Sequence, residues 1–142
     1  MKILGIDIGG SGIKGGIVDT KYGKLISQKI RFETPSPSSP KKVIKKIKKN
    51  IIKELGWNKH VGCGFPGVVI KNKIQSAANV SNKWVGVDVS KRISRKTGCK
   101  SFILNDADAA GLAEIKYGSG KKKKRYGFND YCWNWIRYFN IY

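Results

Sequence analysis

The spacing of hydrophobic positions changes several times along the chain, and each change marks an element. Lys2–Ile8 is a short apolar run ending in glycines, the pattern of a buried strand. Residues 15–19 predict a second strand, joined to the first by a Gly-rich turn, and residues 24–33 a third, alternating one after Tyr22-Gly23. The three form a meander. Thr34-Pro35-Ser36-Pro37-Ser38-Ser39-Pro40 cannot continue a strand and reads as a stiff surface linker. A helix follows, with Ser39 as N-cap and Pro40 at its first position. Val43, Ile44, Ile47, Ile51, Ile52 and Leu55 form its apolar stripe. Lys42, Lys45, Lys46, Lys49 and Lys53 fall mainly on the solvated side, and Gly56 closes it.

The remainder alternates strand and helix. Residues 61–64 and 68–70 read as strand pieces around Phe65-Pro66-Gly67. Residues 87–96 predict a helix closed by Gly98, residues 101–104 a strand, and residues 107–116 an Ala-rich helix ending before Gly118. Strands first, then alternation with helices, predict an α/β lobe with a mixed sheet. No internal repeat is visible.

Length and charge narrow the partners. With 142 residues the chain has room for one such domain, not two. Its 29 Lys and Arg against 9 Asp and Glu give a formal charge of +20, which attracts polyanions. Lys-, Ile- and Asn-rich usage fits an AT-rich coding sequence equally well, and RNA-reading signatures such as an aromatic-rich strand motif are absent. No stretch approaches the roughly 18 uninterrupted apolar residues of a membrane span, and no signal peptide precedes the first strand. Cys63, Cys99 and Cys132 lie far apart, which fits neither a disulfide framework nor a zinc site. A cytoplasmic location is expected.

Two segments carry candidate chemistry. The first strand runs into Asp7-Ile8-Gly9-Gly10-Ser11-Gly12-Ile13-Lys14. Glycines at a strand end let backbone N–H groups approach phosphate oxygens. Ser11 adds a hydroxyl, Lys14 a positive charge, and Asp7 a carboxylate able to hold a metal or its bound water. The pattern is neither a Walker loop nor a dinucleotide fingerprint, because no helix follows at once. The second segment is Leu104-Asn105-Asp106-Ala107-Asp108-Ala109-Ala110-Gly111, where a strand meets a helix. An acid there can accept the proton of an attacking hydroxyl, and both halves of the Asn105 amide can bond sugar hydroxyls. Asp106 or Asp108 fits a helix N-cap as well.

The acid-Gly-Gly-Ser-x-x-Lys order at a very N-terminal strand resembles the first phosphate loop of the actin-like ATPase and sugar-kinase superfamily. Gly64-Phe65-Pro66-Gly67-Val68-Val69, Ala77-Ala78-Asn79-Val80, Trp84-Val85-Gly86 and residues 104–114 follow in the order seen in ROK-family glucokinases. The Ala-Ala-Asn-Val…Trp and Asn-Asp-Ala-Asp-Ala-Ala-Gly segments, with the Thr-Pro-x-Pro linker, are similar to polyphosphate glucokinases. The resemblance covers residues 2–124. It implies an actin-like, ribonuclease-H-like lobe. The implied reaction is phosphoryl transfer from polyphosphate or ATP to the 6-hydroxyl of glucose, with Mg2+, in a homodimer.

By that resemblance Asp106 is the general base and Asn105 binds the sugar. Asn79, Phe65, Pro66 and Gly67 line the sugar pocket, and Glu114 supports it or is a surface carboxylate. Asp7, Gly9, Gly10, Ser11, Gly12 and Lys14 face the phosphate donor. His60 reads as a loop residue. ROK repressors carry a DNA-reading domain ahead of this lobe, whereas here the phosphate-loop strand begins at Lys2. A catalytically inactive remnant and a basic polyanion-binding fragment are the competing expectations.

The resemblance breaks near Lys124. The family continues into a second lobe with another Gly-rich phosphate loop, but Tyr126 to Tyr142 is polar and aromatic. Trp has one codon, TGG. Trp133 and Trp135 each precede a codon beginning with A, so reading one nucleotide further converts both to glycine. With AT-rich codons, residues 131–138 become Ile-Val-Gly-Ile-Gly-Leu-Gly-Thr in that frame. Lys121-Lys122-Lys123-Lys124 implies a long run of A just upstream. The expected organisation is a kinase lobe over residues 1–120 and an out-of-frame tail, poorly packed, over residues 121–142.

Overall fold

The computed structural model describes residues 1–118. Its centre is β1 (Lys2–Ile8), whose Leu4 and Ile8 are fully buried and whose Ile3 and Ile6 are nearly so. With apolar groups on both faces, β1 takes a central position in the sheet. On one side it pairs antiparallel with β2 (Gly12–Asp19), from Lys2 opposite Asp19 to Ile8 opposite Ile13. On the other it runs parallel to β5 (Val61–Phe65), which is parallel to β8 (Ser101–Asn105). The sheet is therefore mixed, as the alternation of elements predicts.

Three boundaries differ from the sequence expectation. The second strand starts at Gly12 rather than residue 15, so Ile13 and Lys14 of the phosphate-loop segment are already paired with β1. Residues 24–33 do not form one strand: β3 (Lys24–Leu25) and β4 (Ile30–Glu33) pair with opposite ends of the same edge of β2. Between them, Ser27 uses its Oγ to accept from Ile17 N–H at 2.8 Å, taking the place of a backbone partner. The predicted helix after the linker is regular only through α1 (Pro40–Ile47), then widens into a π-helical segment at Lys48–Lys53. Ile51 and Ile52 both stay buried across that widening. Pro40 is at the helix start as predicted, but Ser39 makes no side-chain capping bond.

A hairpin escaped the sequence reading. β6 (Val69–Ile70) pairs with β7 (Lys73–Ile74) around Lys71 and Asn72, both at positive φ, as a two-residue hairpin turn requires. Asn72 was its one readable signal, since Asn tolerates that conformation. The chain then makes a short 3-10 turn at Asn82–Trp84 and enters α2 (Val89–Thr97). Asp88 caps α2, accepting from Lys91 N–H at 2.8 Å, and Gly98 ends it in the left-handed conformation. The last described helix, α3 (Asp106–Tyr117), buries only Leu112. A single core joins the inward faces of β1, β5 and β8 to α1, the π-helical segment and α2, with Phe65 and Trp84 its largest fully buried side chains.

Candidate functional site

The three parallel strands end together. Asp7 of β1 lies opposite Gly64 of β5, and Phe65 of β5 lies opposite Asn105 of β8. The carboxyl ends of parallel strands in an open sheet are where ligands bind, because chain direction turns every following loop to the same edge. That edge collects Asp7, the Phe65-Pro66-Gly67 turn and Asn105-Asp106.

Gly64 sits between the two acids. A Cβ at this position would stand 3.7 Å from Asp7 Oδ1 and 3.8 Å from Asp106 Cβ. The absence of a side chain thus leaves open the space that the Asp7 carboxylate and the Asp106 Cβ border. Asp106 and Asp7 are exposed, and Lys14 Nζ stands 3.8 Å from Asp7 Oδ2.

The Gly-rich turn is closed by Gly9 N–H donating to Gly12 carbonyl at 3.0 Å. Thr34, at the start of the linker, clamps it from outside. Its hydroxyl donates to Gly9 carbonyl at 2.6 Å, and its N–H to Ser11 carbonyl at 3.2 Å. Ser11 itself is exposed. Gly10 packs against Asn79, where a Cβ would come within 2.8 Å of Asn79 Cβ. The structure therefore brings an expected sugar-pocket residue directly onto the expected phosphate loop.

Asn105 supplies the cap of α3. Its Oδ1 accepts from Ala107 N–H at 2.9 Å and Asp108 N–H at 3.2 Å, so Asn105, not Asp106 or Asp108, caps α3. Its Nδ2 donates to Gly67 carbonyl at 2.9 Å. Two of the amide's acceptor sites and one of its two hydrogens are thereby used within the protein. One N–H remains for a ligand, fewer than the both-halves expectation. Asp106 is not the N-cap, although its Oδ1 also accepts from Ala107 N–H at 2.9 Å. Glu114 does not join this group: it lies two turns along α3, about 12 Å in rise from Asp106, with its carboxylate beside Gly118.

Several contributors were not legible in sequence. Trp84 appears there only as part of a motif, yet its Nε1 donates to Ser38 carbonyl at 2.7 Å and its ring lies 5.0 Å from that of Phe65. It ties the linker to the turn beside the site. Thr34 and Arg31, whose guanidinium lies alongside Gly12, were read as linker and strand. Cys63 is buried in β5, and burial pushes its thiol up to about 12, so it stays protonated and is no nucleophile. His60 is exposed and stacks on Phe102, as a loop residue outside the site. Among the described residues no group of three His, Cys, Asp or Glu could hold a metal ion. No helix among them is long and apolar enough to cross a membrane.

The ROK family model matches residues 3–126. The chain belongs to the ROK family. Polyphosphate glucokinase of Mycobacterium tuberculosis is 48% identical over 119 residues, which are 83% of this chain and 44% of the relative. The chain thus spans under half the length of that relative. Among solved structures, the inorganic polyphosphate/ATP-glucomannokinase of Arthrobacter sp. strain KM superposes with a TM-score of 0.82 at 41% identity, over 87% of this chain and 51% of that one. A ROK glucokinase of Streptomyces griseus, solved with glucose and AMPPNP, gives 0.75 at 25% identity, over 86% and 38%. The mixed sheet and its connections are those of the N-terminal lobe of the actin-like ROK kinases, as the sequence resemblance implies.

Proposed function

We propose that this chain carries the N-terminal half of a glucokinase that uses inorganic polyphosphate or ATP. The observation that carries the reading is the convergence of Asp7 and Asp106 on the open space at Gly64, next to the Gly9–Gly12 turn. Its support from relatives is the 48% identity to a polyphosphate glucokinase.

In this reading Asp106 accepts the proton of the glucose 6-hydroxyl as the oxygen attacks the terminal phosphoryl group. Asn105 offers its remaining N–H to the sugar and fixes the Gly67 turn. Asn79, Phe65 and Pro66 shape the sugar side. Backbone N–H groups of Gly9, Gly10, Ser11 and Gly12, with Lys14, face the donor phosphates and oppose their charge. The residues present fit magnesium in one way. Asp7, exposed at the end of β1 beside the Gly9–Gly12 turn, would offer its carboxylate, through a bound water, to an ion held largely by the donor phosphates. Bound there, magnesium supplies charge neutralisation on the transferring group.

In this reading the remaining machinery is encoded in the alternative frame of the codons after Lys124. That stretch lies outside the described residues. The 142-residue chain alone is expected to show no more than trace glucose phosphorylation; the inactive-remnant reading applies to it in this form. The test is to restore the other frame at Lys121 to Lys124 and assay glucose 6-phosphate formation with polyphosphate and with ATP. Activity that falls about 100–10,000-fold in Asp106→Asn supports the reading. Near-normal turnover in that variant removes the general base, and an inert restored protein removes the proposal.

A further inference from the structure

The exposed side of α1 carries a feature that the kinase reading does not use. An open groove of about 410 Å³ runs along it, lined by Pro35, Ser36, Lys42, Lys45, Lys46 and Lys49. The four lysines recur at helical spacing on one face, and all four are exposed. From Pro40 to Lys53 the chain has no acidic residue. Among the described residues no ion pair involves α1; Lys42 Nζ reaches only the Ser36 carbonyl, at 3.5 Å. Like charges at this spacing repel, and nothing on the helix offsets them.

The groove is continuous with the phosphate loop. Thr34 bonds Gly9 and Ser11 directly, and Pro35 and Ser36, the next two residues, already line the groove. Arg31 beside Gly12 and Lys14 beside Asp7 add positive charge at the loop end. The Thr34 clamp and the two residues after it therefore lead from the Gly9–Gly12 turn to the α1 lysines, while Lys14 and Arg31 stay with the loop on the other face of the sheet.

We propose that this groove binds the trailing phosphates of a linear inorganic polyphosphate whose terminal phosphate lies at the Gly9–Gly12 turn. The inference rests on the kinase reading for the position of the terminal phosphate, and adds a second contact region for the donor. Lysines suit such a ligand, because an ammonium acts as a point charge toward phosphate without demanding a fixed geometry. A single-stranded nucleic acid fits less well, since its bases call for aromatic platforms and the groove lining contains none. A nucleoside triphosphate is too short to need the groove once its phosphates occupy the loop. The lysines thus favour long donors over ATP.

The test is equilibrium binding by the 142-residue chain of long-chain polyphosphate, tripolyphosphate and an oligo-dT of equal charge, each at several salt concentrations. Two variants are compared. One replaces Lys42, Lys45, Lys46 and Lys49 with Gln. The other makes the same change at Lys91, Arg92, Arg95 and Lys96, an equally basic and exposed set on α2. Circular dichroism checks that both fold. The α1 variant is expected to weaken long-chain polyphosphate binding at least about tenfold and to flatten its log–log salt slope by about 3. Tripolyphosphate affinity should change less than about twofold, and the α2 variant should match the parent for all ligands. Equal losses in both variants would mean diffuse charge attraction and overturn the groove. Oligo-dT bound as tightly, and lost equally in the α1 variant, would reassign it to nucleic acid. These outcomes are independent of the Asp106→Asn assay: a restored kinase that depends on Asp106 but whose polyphosphate binding ignores the α1 lysines keeps the kinase reading and loses this one.

Discussion

Asn105 and Gly67 are joined by a 2.9 Å hydrogen bond from the Asn105 Nδ2 to the Gly67 carbonyl, while the same side chain caps α3 through its Oδ1. One amide thus fixes the start of the helix bearing Asp106 to the turn after β5. Removing it should act twice. Asn105→Ala is expected to lose about 1 kcal/mol of capping and about 1 kcal/mol of hydrogen bonding. Asn105→Asp keeps a capping oxygen and loses only the bond to Gly67, so it should lie between the parent and the Ala variant. Urea unfolding followed by circular dichroism gives the order; an Asp midpoint equal to the parent's would show that the Gly67 bond contributes nothing, and equal midpoints for Asp and Ala that the cap contributes nothing.

Because Asn105 holds the cap, Asp106→Asn should be nearly silent in stability. The substitution keeps an oxygen for Ala107 N–H, bonded at 2.9 Å to Asp106 Oδ1. It removes a negative charge from the helix N-terminus, worth about 0.3–1 kcal/mol. A thermal midpoint close to the parent's, beside a large loss of turnover in the frame-restored enzyme, would assign Asp106 to chemistry. A collapse of stability would return it to structure.

The turn at Gly23 should tolerate no side chain. Its φ of +66° is in the left-handed region, and the Tyr117 ring packs directly over it. Tyr117 also donates its hydroxyl to the Thr20 carbonyl, which anchors the end of α3 to the hairpin between β2 and β3. Gly23→Ala is expected to cost about 1–2 kcal/mol from backbone strain, and more from displacing the ring. In a Tyr117→Ala background the ring part should vanish and the strain part remain. A double-mutant cycle on unfolding midpoints separates them.

Alkaline stability should report on Cys63. In the fold its thiol is pushed by burial from 9.0 to about 12, so the unfolded chain gives up this proton first as pH rises. The contribution of the buried thiol is complete below pH 9 and is lost progressively as pH climbs from there toward about 12. Cys63→Ala should be less stable at neutral pH, from the small cavity, but its stability should fall less steeply across that window. Parallel curves for the two proteins would show that the thiol ionises in the fold as readily as out of it.

The sequence by itself determined what depends on local pattern and composition. Apolar runs set β1, β5 and β8. The stripe from Val43 to Ile52 set the buried face of the first helix, and Gly98 set the end of the second. The motifs at Asp7 to Lys14 and at Asn105-Asp106 marked the two segments that meet at the site. Only the tertiary structure decided how those segments meet. That Gly64 leaves space between Asp7 and Asp106 follows from strand register, which no local pattern encodes. Which residue caps α3 was equally undetermined, because Asn105, Asp106 and Asp108 all have capping oxygens and only the backbone path selects one. The split of residues 24–33 into two strands came from the Ser27 hydroxyl taking over an N–H of β2, a contact ten residues away in sequence. The lysine face of α1 read as ordinary solvated charge until the Thr34 clamp placed it at the end of the phosphate loop, since proximity across folded segments is set by packing and not by spacing along the chain.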